Sequence, residues 1–191
     1  MRIFGIDPGS ERTGYGCVET DGRRHRLVVC GAISASASAP FPQRLARIHR
    51  ELSALLATCQ PDCVAVEDLF HASNARSALK LGHARGVAIL AAVEAGCDVV
   101  EYTPAAIKRA IVGYGRADKH QVQQMVKLLL GLDAPPSPHD AADALAVAIC
   151  HLHSSSGAVA AASKVSQAAR AQAGASGKRQ PTSWRQYRPA H

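Results

Sequence analysis

Residues 2–9, RIFGIDPG, hold the reading that decides the fold. Arg2 to Ile6 is a short apolar run of strand type. It closes on a carboxylate, Asp7, and Pro8-Gly9 forbid any continuation. Asp before Pro-Gly is ordinary turn chemistry. It is equally what a rigid sheet would show if an acid were held at its edge to do something. The remainder of the chain has to decide.

Outward from this strand, GYGCVE (14–19) and LVVCGAIS (27–34) read as two more, joined by TDGRRH with its Asp21-Gly22 hairpin signal. Three strands with short links suggest an antiparallel meander. After the loop SASASAPF, Leu45, Ile48, Leu52, Leu55 and Leu56 recur at helical spacing, which predicts a helix over Pro42–Cys59 with Arg44, Arg47, Arg50 and Glu51 facing outward. DCVAVE (62–67) is a buried strand that also ends on a carboxylate, Glu67. A helix rich in Ala and Leu follows over about Ala75–Ala95, then a fifth strand at Asp98–Tyr102. Thr103-Pro104 is a good N-cap and first-position pair for the helix AAIKRAIV, ended by Gly113-Tyr114-Gly115. ADKHQVQQMVKLLL is another helix, with Val122, Met125, Val126 and Leu129 on one face, and DAADALAVAICHL is the last. This order predicts a mixed α/β sheet with helices on both faces.

A chain of 191 residues fits one domain. Its formal charge of +7 is unevenly placed, because residues 154–191 carry six basic side chains and no acid, leaving 16 basic against 15 acidic residues in 1–153. A nearly neutral core can bind a polyanion only by sorting its charges into a basic face and an acidic pocket. From residue 154 the composition turns to Ser, Ala, Gly and Gln, which reads as a basic, disordered tail with at most a helical turn near AAASKVSQAARAQ. The six cysteines form no CxxC pair and read as reduced, mostly buried thiols. Asp7 interrupts the N-terminal apolar run, and the stretch GVAILAAVEAGC contains Glu94 and is too short to span a bilayer. A soluble cytoplasmic protein with no membrane partner is the expectation.

Four carboxylates now stand out. If strands 1 and 4 lie side by side and parallel, Asp7 and Glu67 meet at the edge where open α/β sheets hold ligands. Asp140 and Asp143 are three apart, so a helix presents them on one face. Acids in a first turn are also favoured by the helix macrodipole, so that pair alone decides nothing. Asp143, however, sits among Ala142, Ala144, Leu145 and Ala146 on a helix whose apolar side is buried, and a partly buried acid there is costly without a cation. Oxygen-only donors select Mg²⁺ or Mn²⁺ over zinc. Two such ions about 3.5–4 Å apart are the standard device for hydrolysing a phosphodiester.

FGIDPGSERTGYG, AVEDLFHASNARSALKLGHARGVAI, YTPAAIKRAIVGYGRADKHQVQQMV and DAADALAVAICH together resemble the blocks of the RuvC family of bacterial Holliday junction resolvases, in order and spacing, over residues 1–153. The resemblance implies an RNase H-like (retroviral integrase superfamily) nuclease domain with a five-stranded mixed sheet. It implies a homodimer that cuts four-way DNA junctions symmetrically in recombination and repair, leaving 5′-phosphate and 3′-hydroxyl ends. It also implies cooperation with the RuvA and RuvB branch-migration complex. The family's four metal-binding acids carry over onto Asp7, Glu67, Asp140 and Asp143, holding two Mg²⁺ ions for which Mn²⁺ can substitute.

Phe70 matches an aromatic that enters the unstacked junction centre, though a Phe under the loop would also suit DLFHASN. Lys108 and Lys119 match basic residues near the scissile phosphate, Lys119 being a catalytic one. The macrodipole disfavours a cation near a helix start, so Lys119 hints at a bound anion. Arg76, Lys80 and Arg85 read as a phosphate-contacting stripe or as a plain solvated face. Three positions depart from the pattern: Asp68, where an uncharged residue is expected; the aromatic Tyr114 in a small turn; and His139, a substitute ligand or a neighbour of one. An actin-like nucleotide-binding fold would need a second Asp-Gly hairpin and a longer chain. A junction-binding module without catalysis has no use for four acids near phosphates. A nuclease acting on RNA–DNA hybrids shares the chemistry, and only NARSALKLGHARG speaks against it.

Overall fold

In the computed structural model, which describes residues 1–68 and 74–155, the RIFGID run is β1 (Arg2–Asp7), the middle strand of five. It pairs antiparallel with β2 (Arg12–Thr20), which pairs antiparallel with β3 (His25–Ser34). On its other side β1 runs parallel to β4 (Cys63–Glu67), and β4 runs parallel to β5 (Asp98–Tyr102). A five-stranded mixed sheet is the expected one; its order is β3-β2-β1-β4-β5, with β2 and β3 somewhat longer than their apolar cores suggest. β1, β3, β4 and β5 all point the same way, so their carboxyl ends share one edge.

Strand alternation divides the core in two. Phe4 and Ile6 of β1, with Val64 and Val66 of β4, pack under α1 (Phe41–Cys59) and α2 (Ala75–Glu94). Ile3, Cys63 and Ala65 point to the opposite face, covered by α3 (Pro104–Val112), α4 (Lys119–Leu130) and α5, helical over 139–155. The starts of α2, α3 and α4 carry side-chain caps: Asn74, Thr103, and the reciprocal Asp118–Gln121 capping box. At two glycines of the sheet α5 lies directly against strand backbone. A Cβ on Gly5 would fall 2.0 Å from the Ala144 carbonyl oxygen, and one on Gly14 would fall 2.0 Å from that of Asp140. Glycines below and alanines above let the helix settle onto the sheet, which brings its acidic first turn down to the edge where β1 and β4 end.

Arg44 corrects one expectation. Its side chain does not face outward; the residue is 4% exposed. It donates to the Ser10 carbonyl, lies 3.7 Å from the Glu11 carboxylate and rests on the Phe41 ring. The turn after Asp7 places the Ser10 carbonyl within reach of the Arg44 guanidinium near the start of α1. All six cysteines are free. Among the described residues no helix is long and apolar enough to cross a membrane. α5 passes the expected boundary at residue 153, and the rest of the proposed tail, residues 156–191, lies outside the described residues.

Candidate active site

Asp7 and Glu67 stand one register step past the Ile6–Val66 pair, on the α5 face that Ile3, Gly5, Cys63 and Ala65 also share. Pro8 and Gly9 then turn the chain away, and Thr13 locks the turn by donating its hydroxyl to the Gly9 carbonyl at 2.8 Å. Burial, and next the charges of Glu67 and Asp143, push the Asp7 carboxyl up to about 8, so at neutral pH it keeps its proton and donates it to Glu67. Burial also raises Glu67, against the hydrogen bond from Asp7 and the charges of Lys119 and Lys108.

The acids of α5 find cations. Lys119 Nζ, at the first position of α4, lies 2.6 Å from Asp143 Oδ2. The anion that a lysine at a helix start calls for is therefore supplied by the chain itself. Burial pulls the Lys119 ammonium down, but its bond to Asp143 and the charges of Asp7 and Asp140 outweigh this and raise it. Arg12 Nη2 lies 2.9 Å from Asp140 Oδ2. Sequence reasoning missed Arg12. The usable signal was its strand parity with Gly14, the partner of Asp7.

Lys108 enters from α3, and with Glu67, Lys119 and Asp143 it lines a cleft of about 260 Å³ whose apolar wall includes Ile107 and Val122. All four predicted acids thus come to one edge with two predicted lysines. Among the described residues, no three acidic, histidine or cysteine side chains converge closely enough to grip an ion between them. Each acid has a partner of its own: Asp7 donates to Glu67, Arg12 pairs with Asp140 and Lys119 pairs with Asp143. The donor set itself is hard, anionic oxygen, which suits Mg²⁺ or Mn²⁺.

Other expected residues stand further out. Arg76 is exposed on the first turn of α2, and Lys80, one turn on, sits over the Phe41 ring. Arg85 is withdrawn from the stripe, because it pairs with Glu101 and lies 3.3 Å from Asp68. That pair also accounts for the charge at Asp68. Tyr114 donates its hydroxyl to Gln121 of the capping box at 2.8 Å. His139 is exposed, with its ring Nδ1 hydrogen-bonded to the side chain of the buried Gln123. Phe70 lies outside the described residues.

Strand order and the placing of acids at the carboxyl edge define an α/β protein of RNase H-like fold. The protein-family profile described as crossover junction endodeoxyribonuclease RuvC matches residues 3–151. The chain belongs to the RuvC family. A RuvC of Koribacter versatilis is 56% identical over 156 residues, spanning 81% of this chain and 94% of its own. A RuvC of Chloroflexus aggregans is 52% identical over 80% of this chain and 93% of its own. Among solved structures, Thermus thermophilus RuvC in complex with Holliday junction substrate superposes with a TM-score of 0.79 at 37% identity, covering 83% of this chain and 96% of that one.

Proposed function

We propose that the chain is a divalent-metal-dependent Holliday junction resolvase, nicking two strands of like polarity to leave 5′-phosphate and 3′-hydroxyl ends. The observation that carries this reading is the meeting of Asp7, Glu67, Asp140 and Asp143 with Lys108 and Lys119 at one sheet edge. Residues 1–153 form the nuclease domain and residues 154–191 a basic tail of salt-sensitive DNA affinity. The work is cytoplasmic, alongside the RuvA and RuvB branch-migration complex.

The four carboxylates hold two Mg²⁺ ions, for which Mn²⁺ can stand in. Bound there, divalent cations supply water activation and charge for the departing 3′ oxygen. The chain's own groups prepare the ground. Asp7 must give up its proton, so cation binding releases acid. Lys119, 56% exposed at its side chain, keeps a positive charge against Asp143 at the cleft mouth, where a phosphate enters. Lys108 lies across the same cleft from α3. Arg76 and Lys80 meet flanking phosphates, and Phe70 stacks on a base at the open centre.

The homodimer is supported by α2, whose outer face shows Leu79, Leu90 and Val93 at 66%, 50% and 58% exposure. Gly82 and Gly86 between them leave room for a second helix. A two-fold pair would present two sites to two strands of like polarity.

The test is incubation of the full chain with a synthetic four-way junction and a matching duplex, in Mg²⁺ or in EDTA. Symmetric nicks in the junction alone, absent in EDTA and in Asp7→Asn, are expected. Binding without metal-dependent cutting would make the protein a junction-recognition module instead.

A further inference from the structure

Arg12 opens β2 and projects from the strand face that carries Gly14, over which the first turn of α5 is seated. Its Nη2 holds Asp140 at 2.9 Å, yet the Arg12 side chain is 51% exposed and that of Asp140 25%. An ion pair so open to water adds little to stability, so holding the fold together is a poor account of it. Its place is informative, because a cation sits on a carboxylate close enough to Asp7 to act on its charge, at the edge where the other three acids meet. The contact is made through one terminal nitrogen, and half of the side chain remains open to solvent.

We propose that Arg12 is a phosphate-binding residue stored on Asp140. The inference rests on the reading of the acids as a metal site. A guanidinium and a divalent cation compete for one carboxylate, and the smaller, doubly charged ion wins on Coulomb grounds. Arg12, released and repelled, then presents its planar fork, a bidentate match for a phosphate, to the backbone beside the bond being cut. Asp140 thus exchanges one cation for another, and the DNA gains the one displaced. The device would couple cation loading to substrate grip.

The experiment compares wild type, Arg12→Gln and Arg12→Lys as full-length chains. Mg²⁺ binding without DNA is read by calorimetry. Binding of a labelled four-way junction is read by anisotropy in Ca²⁺ and in EDTA across a salt series, with gels confirming that the junction stays uncut. Arg12→Gln should bind Mg²⁺ about three- to tenfold more tightly, having lost the competitor. In Ca²⁺ its junction affinity should fall roughly tenfold, with a log–log salt slope shallower by about 0.9, and in EDTA it should match wild type. Arg12→Lys should restore the Mg²⁺ affinity of wild type but only part of the junction affinity, since a point charge lacks the fork. Melting in EDTA should be alike in all three. Unchanged or weaker Mg²⁺ binding by Arg12→Gln overturns the proposal, and so does an equal loss of junction affinity with and without Ca²⁺. A wild type that binds no divalent cation instead overturns the metal reading beneath it.

Discussion

Asp7 and Glu67 close adjacent parallel strands and are joined by a proton that Asp7 keeps up to about pH 8. The sign of the resulting pH dependence follows directly. Unfolded, an aspartate titrates at about 3.9. Below that pH both states are protonated and the contribution to stability is complete. As pH rises from about 4 toward 8 the unfolded chain ionises first, so stability drains away through that window. In EDTA the wild-type Tm should fall across it relative to Asp7→Asn, which needs no proton. At pH 8 the variant should melt several degrees higher, as read by circular dichroism, and added Mg²⁺ should close the gap. A variant that tracks wild type at every pH would contradict the shared proton.

Lys119 is the only residue among the described ones whose ammonium forms an ion pair with Asp143. Lys119→Ala should lower the single-turnover cleavage rate by about 10²- to 10³-fold, the usual cost of one lost electrostatic donor. Lys119→Arg, which keeps the charge, should lose less. The side chain is largely in solvent, so thermal melting should hardly move.

Gly5→Ala tests the seating of α5. The new Cβ meets the Ala144 carbonyl oxygen at 2.0 Å and the Ala148 nitrogen at 2.8 Å, and neither is the yielding end of a side chain. The helix must lift, at a cost of about 1–3 kcal/mol. Because Asp140 and Asp143 ride on it, cleavage should drop by about 10²-fold even in the folded fraction. Denaturant melts and rates normalised to folded protein separate the two effects.

Leu90→Lys tests the exposed face of α2. Half-exposed in one chain, Leu90 would be covered in the proposed dimer. Light scattering should report a monomer, and junction cleavage should lose its paired nicks while the fold stays intact. A Leu90→Lys protein that remains dimeric would place the contact elsewhere.

The acids were legible because each obeys a local rule. Asp7 and Glu67 end strands, and Asp140 and Asp143 share a helix face by their spacing alone. The resemblance added the fold's name and the junction. What stayed hidden depends on partners far along the chain. Arg44 has the look of a solvent-facing helix residue until the Ser10 carbonyl is placed beneath it. Gly5 and Gly14 look like weak points of strands until α5, some 130 residues later, is laid across them. Arg85 belonged to a plausible basic stripe, and no pattern in α2 reveals that Glu101 and Asp68 take it. Local periodicity sees faces, whereas ion pairs across the sheet are set by topology.

The seating of α5 on β1 also has a consequence for biosynthesis. The first acid leaves the ribosome at residue 7, and the last two arrive only with residues 140 and 143. The β1–β2–β3 meander pairs early, being local, whereas the site closes through a long-range contact between β1 and α5. A nascent or truncated chain therefore carries two carboxylates and no enclosed cleft. The four acids can meet only after residues 140 and 143 have been made.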